Sequence, residues 1–172
     1  MTWTAPEVTR PEGSLLAPEA DLLPGLLDWH RATFLHKCAG LTGEQLAATP
    51  IPWSNLSLLG LIRHLAKVEH IWFRRSLLGE DVPRLYSTPE RPDADFEDLD
   101  PARAEAEYAV LLEQQDIARK AAAGLPMDTT FENAGWGTLT VRLLHNHMIG
   151  EYARHNGHAD MIRQGVDGVT GG

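Results

Sequence analysis

The sequence predicts an all-α fold in which four long helices pack as a bundle. Three observations carry this reading. Apolar residues recur at helical spacing over four separate stretches. Start and stop residues bracket those stretches, with Thr42 and Asp100 as starts and Gly40, Gly79 and Gly124 as stops. No sustained alternation of apolar and polar residues competes as a strand pattern.

Taken in order, the first helix is expected from Glu19 to Ala39, with Leu22, Leu26, Leu27, Trp29 and Phe34 supplying buried contacts. Gly40 ends it. A short helix follows, capped by Thr42 with Gln45 in the capping-box position, and Pro50 and Pro52 close that segment. The second long helix spans Ser57 to Leu78, with an apolar face of Leu58, Leu61, Leu65, Val68, Ile71 and Trp72, and Gly79 stops it. A Pro-rich, acidic loop runs from Glu80 to Asp98. Asp100 caps a third helix with Pro101 at its first position, extending to Ala123 before Gly124 and Pro126. The segment from Thr129 to Gly137 is a short strand or extended turn. The fourth long helix is expected from Thr138 to Arg163.

The chain has 172 residues, one domain's worth, of which 43% are hydrophobic and 23% charged. Residues 1–18 are expected to form a flexible N-terminal segment, 19–165 the bundle and 166–172 a flexible tail, because Pro and Gly concentrate at both ends. A formal net charge of -9 disfavours nucleic acid and anionic lipid as partners. No stretch of about 18 apolar residues is present, so no membrane span is expected. The first 18 residues lack a basic segment followed by an apolar run, and Cys38 is the only cysteine. Both point to a cytoplasmic protein. Cys38 reads as a small core residue.

Eight histidines fall on the expected helices. On the fourth helix, His147 and His155 lie about 40° to either side of Glu151, and His158 about 20° from it. Leu144, Met148 and Ile162 fall within about 60° of the same line, so these ionisable residues share the face that enters the core. His145 points about 120° away, toward the flank. On the second helix His64 lies inside the apolar arc, about 40° from Val68, whereas His70 points away and reads as solvated. A buried carboxylate beside imidazoles is costly unless a cation sits between them. His64, Glu151 and His155 would offer two nitrogens and one oxygen, a set that suits zinc, nickel or iron(II) and leaves coordination positions open. Spacing alone leaves a second reading open, in which the inward histidines are hydrogen-bonded core residues. Trp29, Trp53, Trp72, Phe73 and Trp136 read as packing residues, and Asp93, Asp95, Glu97 and Asp98 as a solvated acidic surface.

Two stretches carry a resemblance. Ser57-Leu58-Leu59-Gly60-Leu61-Ile62-Arg63-His64-Leu65-Ala66, continuing through Val68, Glu69, Trp72 and Phe73, resembles the second helix of the DinB-like (YfiT-like) metalloenzymes. His147-Met148-Ile149-Gly150-Glu151-Tyr152-Ala153-Arg154-His155-Asn156-Gly157-His158-Ala159-Asp160 resembles their last helix. The match is closest to an actinobacterial branch of that superfamily, related to the metal-binding domain of the mycothiol-dependent maleylpyruvate isomerases, and covers Leu22 to Arg163. It implies a four-helix bundle of the DinB/YfiT-like type holding one divalent metal on three side chains. Many members use His followed by His-x-x-x-His; this chain has Glu151 in the first position of the pair, the pattern of the maleylpyruvate isomerases. By that pattern His64, Glu151 and His155 carry over as ligands. His158 stands where relatives often have Gln, so it and His147 are supporting or spare ligands.

The resemblance further implies zinc or nickel, with iron next, and a low-molecular-weight thiol such as mycothiol as co-substrate. The partners would be that thiol and an electrophile, in an S-transferase or isomerase reaction, and members often pair as homodimers. Which residues act catalytically is left open. Two other classes stand beside this reading: a non-catalytic metal or small-molecule binding protein, and a metal-free structural bundle.

Overall fold

The computed structural model describes residues 2–171. Four helices form the frame: α1 (Glu19–Cys38), α3 (Leu58–Glu69), α4 (Ala104–Ala122) and α5 (Val141–Asp167), with a short α2 (Gly43–Ala47) after α1. The fold is mostly helical, as the periodicity predicts. The caps fall where the sequence places them. Thr42 and Gln45 close a capping box at the start of α2, the Gln45 N–H donating to Thr42 Oγ1 at 3.3 Å and the Thr42 N–H to Gln45 Oε1 at 3.0 Å. Ser57 Oγ accepts from the Gly60 N–H at 3.0 Å. Asp100 takes the Ala102 N–H and opens a 3₁₀ turn, Pro101–Arg103, that leads into α4.

Helix α1 lies along α5 and α3 along α4, while α3 also meets α5. Their shared core contains Leu27 and Phe34 of α1, Leu61 and Leu65 of α3, Leu111 of α4, and Leu144, Met148 and Ile162 of α5, all at most 1% exposed. Fully burying a side chain of this size contributes about 1.5–3 kcal/mol. The segment before α1 also joins the core: Ala5 is buried, and its N–H donates to the Leu41 carbonyl at 2.9 Å. Cys38 is fully buried, and burial pushes its thiol up to about 12, so it is a protonated core side chain.

Three features differ from the sequence reading. The second long helix does not stay α-helical. From His70 to Leu77 it widens into a π-helix, with the Leu78 N–H reaching the Phe73 carbonyl at 2.9 Å, before Gly79 at φ 65° ends it. The expected short strand is a complete hairpin, β1 (Thr130–Asn133) and β2 (Gly137–Thr140), with Phe131 opposite Leu139 on its inner face. The last helix therefore begins at Val141 rather than Thr138, with Thr140 Oγ1 accepting from the Leu143 N–H at 3.2 Å, and runs on to Asp167. Lastly, Trp53 and Trp136 are 86% and 58% exposed and Trp29 is 36% exposed, so these three are not the core residues their size suggests.

Two histidines expected at the surface are buried. His70, read as solvated, is 2% exposed, between Gln114 of α4, 3.1 Å from its Nδ1, and the Pro83 carbonyl, 2.8 Å from its Nε2. Nine of the twelve residues of α3 are buried, because α2, α4, α5 and the loop after Gly79 surround it. A residue 120° from the main stripe of such a helix still meets protein. His145, read as a flank residue, is also 2% exposed, and its Nδ1–H donates to the Val141 carbonyl at 2.9 Å.

Burial holds the His145 imidazole below its usual value and does the same to His30. Both are then neutral in the folded protein at pH 7. The unfolded chain takes up these protons near pH 6.5, while the folded chain resists until lower pH. The stability they contribute is thus present above about pH 6.5 and lost as the pH falls through the folded values. Urea unfolding of metal-free protein is expected to show a midpoint that drops between pH 7.5 and 5.5, and a shallower drop for His145→Gln. A midpoint equally flat in both proteins would contradict this account of His145.

Beneath α5 lies a buried ionic network. Arg31 of α1 makes a bidentate pair with Glu69 of α3, Nε to Oε1 and Nη2 to Oε2, both at 2.7 Å. Tyr152 of α5 donates to Glu69 Oε1 at 2.8 Å, and Gln115 of α4 donates to the Tyr152 hydroxyl at 3.0 Å. All four residues are at most 3% exposed. Burial opposes the Arg31 charge, but the attraction and hydrogen bonds of Glu69 outweigh it and raise the guanidinium's pKa. One network thus ties the four long helices together directly behind the face that carries Glu151.

Candidate metal centre

Helices α3 and α5 meet along a seam where His64 faces Glu151 and His155. Each of the three offers one ligand atom, and these atoms all lie within 4.8 Å of one another. The His64 and His155 rings are 4.6 Å apart between centroids, and His155 Nε2 lies 3.6 Å from Glu151 Oε2. Glu151 and His155 are one helical turn apart, which puts an oxygen and a nitrogen side by side. The side chains of His64 and Glu151 are 19% and 15% exposed, so the seam is open to solvent on one side.

The donor set fits a divalent ion on two further grounds. First, both imidazoles make their hydrogen-bond contacts through Nδ1. His64 donates from Nδ1 to Asp95 Oδ2 at 2.8 Å, which fixes its tautomer and leaves the Nε2 lone pair unused. His155 approaches His158 through Nδ1 at 3.3 Å, so its Nε2 stays on the Glu151 side. Second, His155 is neutral. Burial, with His64 and His158 close by, pushes its imidazole down to about 3. Metal binding requires the neutral form.

Asp95 is the residue that composition hides. The Glu80–Asp98 loop reads as a solvated acidic surface, and Asp93, Glu97 and Asp98 are indeed at least partly exposed. Asp95 is fully buried. The loop folds back over α3, where Arg63 donates to the Ala94 and Glu97 carbonyls and Lys67 pairs with Asp95 Oδ2 at 2.6 Å. Burial alone would raise the Asp95 carboxyl, but the His64 and Lys67 hydrogen bonds and the Lys67 charge hold it below the usual range. Its Oδ1 has no hydrogen-bond partner among the described residues, an unusual state for a buried carboxylate that serves packing alone. Phe96 stacks on His64 with centroids 5.2 Å apart. It comes this close because position 60 is glycine: a Cβ there would lie 2.8 Å from the Phe96 ring. Asp95→Asn is expected to weaken metal affinity about 10–100-fold, as loss of a partner that orients a ligand does. The check is competitive titration with a chelating dye. Unchanged affinity would leave Asp95 as a structural residue.

The other histidines are not part of the triad. His158 adjoins it through His155, its Nδ1 3.3 Å from the His155 Nδ1. His147 packs its ring 4.2 Å from Trp72 and 5.3 Å from Trp136, making an aromatic cluster one turn before Glu151. The π-helical turn, which the sequence pattern does not show, places Trp72 there, and the hairpin, expected only as a short strand or extended turn, places Trp136. His70 and His145 are buried elsewhere in the bundle.

The family model described as Mycothiol-S-transferase matches residues 22–168. No curated protein and no solved structure matches the chain. The matched stretch begins in α1, ends just past α5 and includes all three residues of the triad. The chain belongs to the mycothiol-S-transferase family.

Proposed function

We propose that the protein is a divalent-metal-dependent S-transferase that joins a low-molecular-weight thiol, mycothiol or a close equivalent, to an electrophile. The observation that carries the reading is the convergence of His64, Glu151 and His155 at an open seam, within a chain of this family. Two imidazoles and one carboxylate would hold zinc, nickel or iron(II) and leave positions free. The ion, when bound, would supply Lewis acidity that favours the thiolate over the thiol near neutral pH.

The chain's own residues do the remainder. Asp95 orients His64 and keeps its proton on Nδ1. Tyr152, held by Glu69 and Gln115, fixes the turn of α5 that presents Glu151. The sulfur then forms a bond to the electrophilic carbon. A leaving group departs with the electron pair of the broken bond, or an acceptor double bond takes the pair, and the thiol proton goes to solvent. Trp72, His147 and Trp136 form an aromatic wall one turn along α5, fit to receive the apolar part of an electrophile.

The test is thiol consumption with metal-loaded protein, mycothiol and a panel of alkyl halides, aryl halides and α,β-unsaturated carbonyls. Product formation that vanishes with chelator and returns with metal is expected. Metal-loaded protein that conjugates none of them would favour a binding protein without turnover.

A further inference from the structure

The α3–α5 seam is not the only concave feature of the bundle. A cavity of about 530 Å³ opens between the N-terminal half of α1 and the C-terminal end of α4, roofed by the start of α5. None of His64, Glu151 and His155 lines it. Its size falls within the range of small-molecule sites. Leu27, Phe73 and Met127 give it a buried apolar wall, and Arg31, Asp28, Arg119 and His145 supply polar groups.

Those polar groups are built in, and their unused valences are specific. His145 is 2% exposed, and its Nδ1–H is committed to the Val141 carbonyl. Its Nε2 is therefore an acceptor, and it has no hydrogen-bond partner among the described residues. Arg31 is 3% exposed and spends three of its five N–H bonds, two on Glu69 and one on Asp28. Two N–H bonds remain. The same wall therefore holds an unfilled acceptor and unfilled donors, a pairing that one hydroxyl group answers by donating to the imidazole and accepting from the guanidinium.

Charge narrows the ligand further. Arg31 is neutralised by Glu69 and Asp28, and Arg119 pairs with Asp28 at 2.8 Å. The buried charges of the wall are thus matched, and the one lining carboxylate without an ion pair among the described residues, Asp21, is exposed at the mouth; an ion entering the inner part would lose its hydration without a counter-charge. Phe73 and Met127 favour an aromatic body.

We propose that this cavity is a second small-molecule site, separate from the metal centre, which takes an uncharged aromatic ring compound bearing a hydroxyl group, of the phenol class. The site does not depend on the metal reading. It does touch the centre structurally, since Arg31 links the cavity to Glu69 and Tyr152, the neighbour of Glu151.

The experiment is a titration of the full chain with phenol, read on the His145 ring nitrogens by NMR. Saturable binding with a displaced Nε2 resonance is expected, with toluene, benzoate and benzylamine at least tenfold weaker. Ala122→Phe, which places a ring in the cavity from the end of α4, is expected to abolish binding. His145→Leu is expected to lower phenol affinity about tenfold and leave toluene unchanged. His64→Ala is expected to leave phenol binding intact, which separates this site from the metal centre. The proposal is overturned if phenol leaves the His145 signals unmoved, if Ala122→Phe binds as tightly as the parent, or if toluene or either ion matches phenol.

Discussion

His64→Ala is expected to leave a folded protein that holds essentially no divalent ion. His64 is the one ligand candidate that α3 contributes, and the two left on α5 are one turn apart on a single helix. Two donors from one helix do not enclose an ion, and structural and catalytic sites alike use at least three protein ligands. His64 is 19% exposed and lies at an open seam, so its truncation leaves a small solvent-filled gap rather than a core void. His155→Ala is expected to do the same. His70→Ala and His145→Ala are the controls. Both residues are buried and hydrogen-bonded outside the triad, so their loss lowers stability while metal content persists. The measurement is metal content after dialysis, with circular dichroism to establish folding. A His70→Ala or His145→Ala protein that folds yet loses its metal, beside a His155→Ala protein that keeps it, would move the site elsewhere.

The second large effect concerns stability. Glu69→Ala is expected to destabilise the fold by about 3–5 kcal/mol, because it strands a buried guanidinium without its counter-charge. Glu69 is fully buried, accepts both hydrogen bonds of the Arg31 fork and also takes the Tyr152 hydroxyl. Asp28, which is part-exposed, is the only other carboxylate on Arg31 among the described residues, and it already serves Arg119. Denaturant unfolding of Glu69→Ala beside the apolar double replacement Arg31→Met/Glu69→Leu separates a stranded charge from lost packing. The double replacement is expected to recover most of the loss, as apolar replacements of buried ion pairs often do. If the double replacement is as unstable as the single, the network matters through its geometry.

Much of this was legible in the chain because it is local. The capping box at Thr42, the Asp100–Pro101 start and the Gly79 stop depend on neighbours within a few positions. The triad was legible for a related reason: Glu151 and His155 share a turn of α5, and His64 sits on the apolar stripe of α3. What escaped is non-local. Asp95 lies 31 positions from His64, in a stretch whose average composition is that of a solvated loop. The histidine angles failed because the reading assumed one buried face per helix, whereas α3 and the π-helical turn that continues it have protein on nearly every side of His70, and His145 of α5 shares a wall with Leu27, Asp28 and Arg31 of α1. The hairpin read only as a short strand or extended turn because its strands are four residues each, with one inward apolar side chain apiece at Phe131 and Leu139. The π-helical turn at His70–Leu77 leaves no mark on apolar spacing over so short a run.

The central claim is that His64, Glu151 and His155 together hold a divalent ion. Its most direct test is elemental analysis combined with X-ray absorption at the metal edge, on untagged protein purified without chelating resin. The account predicts about one divalent ion per chain, with a first coordination sphere of two imidazole nitrogens and oxygen donors at about 2.0–2.2 Å. That signal should be absent from His64→Ala. Ion-free protein that takes up none of zinc, nickel or iron(II) on addition, or a His64→Ala variant with full metal content, would contradict it.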